Sequence, residues 1–301
     1  THARAVSCHP AFKLIAAIDN NKKACDRFNL VYKNFTYESI DSFLKNGNKN
    51  IDFVIIAVNP QFQPKLIEEV ISKISPKVIL LEKPIAISMS EAIKVNNICK
   101  KYANLIVCVN YIRRYLPVFF ECKQIISSNK MGKFLHGNIV YGKGLLSNGS
   151  HFLNLAQGLL GKLEFFRKLN QGISYGDFDR ELSFILKKDS NSFLSMHSLC
   201  SNNLRAGEVD LWFEGGRICW LNNGNSLYFW PRVKSDLISE SYDSLSNIPT
   251  IFNTNISKYQ YFVLDEIQKI FNCDANININ CSLDDCIETM DLMHTALTSY
   301  E

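Results

Sequence analysis

Residues 78–84 read Val78-Ile79-Leu80-Leu81-Glu82-Lys83-Pro84, four apolar residues followed without transition by an acid, a base and a proline. An unbroken apolar run of this length is the pattern of a strand buried on both faces, as in a parallel sheet covered by helices. In open sheets of that kind, ligands lie outside the carboxyl ends of the strands. A charged pair at such an end either holds a ligand or acts on one. The competing reading, a surface ion pair, sits poorly with the burial that the strand implies.

The pattern repeats outward from this stretch. Residues 51–58 (IDFVIIAV) form a second apolar strand stopped by Asn59-Pro60, and residues 105–109 a third. Residues 12–18 (FKLIAAI) read as a short strand closing at Asp19-Asn20. Helical patterns cover 2–7, 22–29, 40–44, 64–74 and 89–102, the last opened by Ser88 or Ser90 as a cap. Apolar strands alternating with helices predict a Rossmann-type parallel α/β sheet. Near Pro117 the texture changes. A helix over 119–127 leads into short runs at 134–141, 181–186, 192–199, 208–213, 216–221 and 226–230, jointed by Gly, Asn, Asp and Ser. These predict a mostly antiparallel, open-faced sheet in an α+β domain. A helix at 153–160 interrupts it, and helices at 258–271 and 283–299 close the chain near the domain joint. The expected division is 1–117 and 118–301.

Composition narrows the function. The 301 residues are 47% hydrophobic and 21% charged, ordinary for a globular protein with sizeable cores. A net charge of +4 with no basic run argues against a nucleic-acid surface. No apolar stretch approaches the roughly 20 residues of a membrane span, and no signal peptide is recognisable. A cytoplasmic protein is the default expectation. The ten cysteines contain no Cys-x-x-Cys, and the spacing of Cys273, Cys281 and Cys286 fits no zinc pattern. Reduced structural thiols and no metal are expected.

Four positions are candidates for chemistry. Asp19 ends a strand where dinucleotide-binding folds use an acid to accept hydrogen bonds from the adenosine ribose. Asn20 and Asn21 follow it with no adjacent arginine for a 2′-phosphate, which favours NAD without excluding NADP. Taken alone, Asp19 reads equally as a turn residue capping the next helix. Val58-Asn59-Pro60 ends another strand, as a cofactor contact or a plain turn. At Lys83 an ammonium can steady charge on a substrate oxygen, its backbone stiffened by Pro84. Arg113 and Arg114 suit either a bound phosphate or carboxylate, or ion pairs at the domain joint.

With these residues in order, the chain resembles the Gfo/Idh/MocA family of NAD(P)-dependent oxidoreductases along nearly its whole length. Residues 2–6 (HARAV) are similar to the helix after that family's glycine loop, and residues 13–19 (KLIAAID) to its second strand and ribose-binding acid. Glu82-Lys83-Pro84 matches its hallmark tripeptide, residues 110–117 (NYIRRYLP) its domain-crossing segment, and residues 149–154 (GSHFLN) the start of its substrate-site helix. The resemblance implies a dinucleotide-binding domain followed by a substrate-binding and oligomerisation domain. It implies hydride transfer between nicotinamide and a hydroxyl or keto carbon of a sugar, cyclitol or nucleotide sugar, for which surface-polysaccharide biosynthesis is one setting. A homodimer or homotetramer through the C-terminal sheet is implied as well. Lys83 becomes the electrostatic or proton-relaying lysine. His151 becomes the general acid/base, a task that suits an imidazole, although a lone histidine at a helix start is more often structural. Cofactor contacts are expected from Asp19, Asn20, Val58, Asn59, Pro60, Gln63, Glu82, Lys83 and Asn110. Substrate contacts are expected from Arg113, Tyr141, Lys143, Asn148 and Asn154.

The chain departs from the family pattern in three places. Many relatives carry aspartate four residues before the histidine and another three after it; here these are Ser147 and Asn154, neither a carboxylate. Thr1 also falls within what the resemblance makes the first helix. The first strand and its Gly-x-Gly-x-x-Gly loop, which cradle a pyrophosphate, are therefore not among these residues, and the first glycine is Gly47. The expectation is that residues precede Thr1 in the complete protein. The alternative function is a non-catalytic or impaired sugar-binding relative that has lost its nucleotide site.

Overall fold

The strand at residues 78–81 is buried along its whole length, with Val78, Ile79, Leu80 and Leu81 no more than 1% exposed. The computed structural model describes residues 1–33, 36–46, 50–201, 203–234, 243–272 and 279–299; Gly47 and Cys273 lie outside them. The first part runs α1 (His2–Cys8), β1 (Ala17–Ile18), α2 (Lys22–Tyr32), β2 (Thr36–Tyr37), α3 (Ile40–Lys45), β3 (Phe53–Ile56), α4 (Gln63–Lys73), β4 (Val78–Leu81), α5 (Met89–Lys100) and β5 (Ile106–Val109). Strands β3, β4 and β5 pair in parallel in that order, with Ile56, Leu81 and Val109 in register. Their carboxyl ends therefore form one rim. Ser88 opens α5 as anticipated, its hydroxyl accepting from the Glu91 amide at 3.3 Å.

The strand expected over 12–18 is corrected to Ala17–Ile18 alone. A strand extends only where a neighbour answers its backbone groups, and the partner here is the equally short β2. β1 and β2 form a separate parallel pair, and no described strand joins them to β3–β5.

From α6 (Pro117–Ser127) the chain enters a large sheet. Its strands are β6 (Phe134–Tyr141), then after α7 (Ser150–Leu160) β7 (Glu164–Lys168), β8 (Ile173–Tyr175), β9 (Asp179–Glu181), β10 (Phe184–Lys187), β11 (Phe193–Ser198), β12 (Gly207–Phe213), β13 (Gly216–Leu221), β14 (Ser226–Lys234), β15 (Asp243–Leu245) and β16 (Thr250–Asn253). The main sheet has the order β15-β14-β13-β12-β6-β11-β10-β7, with β16 on β14, while β8 and β9 form their own hairpin. All its pairs are antiparallel except β6 with β11. Burial alternates residue by residue along β12, as it must when a sheet covers a core on one face only.

Helices α8 (Tyr259–Asn272) and α9 (Leu283–Thr298) return to the first part. The chain just before α9 pairs with β5: the Val109 amide donates to the Cys281 carbonyl at 2.9 Å, and Cys108 bridges Ser282. One apolar core runs from β3–β5 through α7 to the inner face of the large sheet. No helix of the described residues is long and apolar enough to cross a membrane. The described cysteines are free thiols, and no cluster of three or more His, Cys, Asp or Glu suited to a metal occurs among the described residues.

Candidate active site

The rim of β3–β5 carries most of the residues anticipated for a cofactor: Val58-Asn59-Pro60 follows β3, Glu82-Lys83-Pro84 follows β4 and Asn110 follows β5. Asp19 follows β1, in the separate β1–β2 pair. Asp19, Asn20, Val58 and Asn59 are exposed. Two of them also serve local turns: Asp19 Oδ1 accepts from the Asn21 amide at 2.8 Å, and Asn59 Oδ1 from the Gln61 amide at 3.3 Å. Gln63 has a different place from the one expected. It is fully buried at the start of α4, and its Nε2 donates to the carbonyls of Glu82 and Pro84, both at 3.0 Å. It braces the tripeptide from beneath.

Glu82 is held by two donors. His2 Nε2 and Asn110 Nδ2 each lie 2.7 Å from Glu82 Oε1. Burial alone would push this carboxyl up, but those hydrogen bonds and the neighbouring Lys83 outweigh it and leave it below its ordinary value. Lys83 moves the other way. Burial is the largest cause of its depression, Arg113 and Arg205 add to it, and Glu82 and Asp179 oppose it.

The Lys83 ammonium donates to the carbonyl of Ser147, in the π-helical turn Leu145–Gly149 that opens α7. The same peptide segment is held from behind by a strand that the sequence patterns did not reveal. On β9, Asp179 accepts from the amides of Leu146 at 2.9 Å and Ser147 at 2.8 Å. Glu181 accepts from the amides of Lys143 at 2.5 Å and Gly144 at 3.1 Å, and from Ser198 Oγ at 2.9 Å. Gly144 has φ +82°, and a Cβ there would stand 2.1 Å from Asp179 Oδ2, so both the turn and the carboxylate require glycine. Ser147 and Asn154 are not carboxylates, as the sequence shows, and the carboxylate that reaches this turn is Asp179, which holds its backbone.

His151 lies one turn further on, half-buried, its ring edge-on to Tyr111 with centroids 5.7 Å apart. Its Nδ1 is buried with no hydrogen-bond partner among the described residues, which leaves Nε2 as the nitrogen able to meet a ligand. Burial holds the imidazole well below its ordinary value, and Lys83, Arg113 and Arg205 push in the same direction. It is neutral at physiological pH.

The two arginines expected together part company. Arg114 forms the ion pair at the joint, with Nη1 3.2 Å from Asp285 Oδ1 at the start of α9. Arg113 is buried over the Phe152 ring, 4.0 Å from its centroid, and donates to the Asn223 carbonyl at 2.7 Å. Three expected substrate contacts are corrected. Tyr141 is fully buried, its hydroxyl bonded to the carbonyl and amide of Leu182. Asn154 is fully buried between Thr289 and Cys281. Asn148 spends its amide on the carbonyls of Gly142 and Ala206. These three shape the loop and the core behind the site. Lys143 places its ammonium 6.0 Å from the Tyr175 ring centroid.

The rim suits a dinucleotide. Asn110 Oδ1 is a buried acceptor without a partner among the described residues, and an exposed acid, Asp19, stands at the end of β1. Residues 1–111 match the model of the oxidoreductase family with NAD-binding Rossmann fold, GFO_IDH_MocA. No curated protein matches the sequence. Solved structures share the fold along the chain. The WlbA dehydrogenase from Bordetella pertussis, crystallised with NADH and UDP-GlcNAcA, aligns at TM-score 0.78 and 15% identity, over 98% of this chain and 90% of its own. A 3-ketoreductase from Actinomadura kijaniata in complex with NADP aligns at TM-score 0.74 and 12% identity, over 98% and 91%. The MviM dehydrogenase from Clostridium difficile aligns at TM-score 0.74 and 18% identity, over 99% and 94%.

Proposed function

Residues 1–111 are an NAD-binding domain of the Gfo/Idh/MocA oxidoreductase family, and from that premise we propose that the protein is an NAD(P)-dependent dehydrogenase or reductase of a sugar-type alcohol. One observation supports the reading: Lys83, at the end of a parallel strand, donates to the Ser147 carbonyl in the turn that opens α7, four residues before His151. We divide the work between residues 1–117, which hold the cofactor, and 118–301, which hold the substrate and offer the outer face of the large sheet for assembly. That face carries Arg217 stacked between Trp212 and Trp230, at 4.8 and 5.4 Å.

Asp19 and Asn20 would hold the ribose end of the cofactor, Val58, Asn59 and Pro60 its middle, and Glu82 and Asn110 the region beside Lys83. Bound NAD or NADP supplies the acceptor or donor of hydride at the reacting carbon. The chain's own residues handle the proton. In the oxidising direction the neutral His151 takes the hydroxyl proton at Nε2 while the C–H bond breaks and C=O forms. Lys83 keeps two N–H donors beyond the one given to Ser147, and these steady the charge gathering on the oxygen. Asp179, through the Ser147 amide, keeps the loop and the lysine in place.

The substrate class is supported by a neighbour of the same fold whose complex contains the nucleotide sugar UDP-GlcNAcA. Titrating the full-length protein with NADH and following nicotinamide fluorescence tests the reading. Saturable micromolar binding is expected. Its absence would favour a sugar-binding relative without redox activity.

A further inference from the structure

We infer that His2 is a positioning residue of the cofactor site: from α1 it fixes the rotation of the Glu82 carboxylate and leaves the second carboxylate oxygen to a hydroxyl of the bound dinucleotide. The inference rests on the cofactor reading above and adds to it a residue that acts through Glu82.

Glu82 Oε1 is where three elements meet. His2 Nε2, from the first turn of α1, and Asn110 Nδ2, following β5, each lie 2.7 Å from it. The carboxyl is held below its ordinary value: burial raises it, and the hydrogen bonds from His2 and Asn110 lower it by more. Ionised, it only accepts, so His2 donates at Nε2 whether or not its other ring nitrogen carries a proton. A carboxylate oxygen has two lone pairs, and both on Oε1 are taken. All hydrogen bonds of the Glu82 side chain among the described residues end on that oxygen, while the side chain stays 29% exposed. Oε2 is the oxygen left for a ligand.

A docked helix delivers His2 to this point. Ala5 and Val6 of α1 are buried against Leu264 of α8. Just beyond the end of α1, His9 Nε2 lies 3.0 Å from Asp265 Oδ1 on the same α8. The tripeptide is fixed from the other side, where Gln63 Nε2 donates to the carbonyls of Glu82 and Pro84, both at 3.0 Å. The Asn110 amide donates to the Leu81 carbonyl at 2.8 Å, which fixes the second donor to the strand that carries Glu82. Backbone and donors are therefore in place before a ligand arrives.

Rotation is what remains to be set. The terminal torsion of a glutamate is broad and roughly two-fold, so an unheld carboxylate presents either oxygen in many planes. Two donors that converge on one oxygen from separate elements select a single plane. A bridge that served the fold alone would gain as much from donors spread over both oxygens. Without His2, Oε1 keeps one donor and regains a free lone pair, and the carboxylate loses its fixed plane. The cost of ordering it then falls on cofactor binding.

The test is fluorescence titration of the full-length protein with NADH, comparing wild type, His2→Ala, His2→Gln, Glu82→Ala and the double alanine variant. His2→Ala should weaken NADH about tenfold, the scale of one hydrogen bond to a charged group. His2→Gln, whose amide can reach Oε1, should stay within about threefold of wild type. Action through Glu82 means that His2→Ala should add less than about twofold once Glu82 is already alanine. Where Glu82→Ala fails to fold or to bind, the glutamine comparison decides. Glutamine as weak as alanine, or a full tenfold loss on top of Glu82→Ala, would overturn the inference. So would a His2→Ala protein with a lowered unfolding temperature and wild-type NADH affinity, which would assign His2 to the fold. No NADH binding by wild type would sink the cofactor reading itself. Binding by wild type that His2→Ala leaves unchanged would sink this inference alone.

Discussion

Lys83 donates a hydrogen bond to the carbonyl oxygen of Ser147, a residue 64 positions away, and thereby ties the end of β4 to the turn that presents His151. The amide of the same Ser147 donates to Asp179 at 2.8 Å. Two charged groups of opposite sign are therefore joined through one peptide segment, and the position of each depends on the other.

Replacing Asp179 by alanine leaves the Leu146 and Ser147 amides without their acceptor in a buried turn. Each such orphan costs about 1–3 kcal/mol. Urea unfolding should show a loss in that range or above for Asp179→Ala, and a smaller one for Asp179→Asn, which keeps an acceptor. A midpoint unmoved in the alanine variant would show that the turn is held by something else.

His151 should remain neutral well below pH 6.5, because burial, then Lys83, Arg113 and Arg205, all oppose its charge. The sign follows from linkage. The unfolded chain protonates this histidine near its ordinary value while the folded protein resists, so stability falls as pH drops below about 6.5 towards the folded value. His151→Asn should flatten that part of the stability curve relative to wild type. A ring resonance titrating near 6.5 would contradict the electrostatic account.

The pair Arg114–Asp285 locks α9 to the segment that follows β5, with Arg114 Nη1 3.2 Å from Asp285 Oδ1. A double-mutant cycle with Arg114→Met and Asp285→Asn should return a coupling of roughly 0.5–3 kcal/mol. Asp285 also accepts from the Ser282 amide at 2.8 Å, so its single substitution should cost more than the pair alone. A coupling near zero would mean that the joint is held by its apolar core.

The sequence made the parallel sheet legible because its strands are apolar without interruption, and Val78–Leu81 stops at the charged pair that marks the rim. It overstated residues 12–18 because strand length depends on what lies alongside, and among the described residues only Thr36–Tyr37 does. Lys83 could be named from its place at a strand end, and His151 through the family resemblance. The residues that place them could not. Asp179 and Glu181 reach their partners across 32 to 38 positions of chain from a three-residue strand with no apolar pattern of its own. Tyr141 and Asn154 misled for the same reason: adjacent to the site in sequence, they are turned into the core by Leu182 and by Thr289 of α9.

The most direct test of the central claim compares wild type with Lys83→Ala in NADH affinity and in turnover of an accepted sugar substrate. Lys83 is assigned to steadying charge in the transition state, so its loss should lower turnover by about a hundredfold or more and leave the dissociation constant for NADH within about threefold, well inside 1 kcal/mol. Unchanged turnover in the variant would contradict the account.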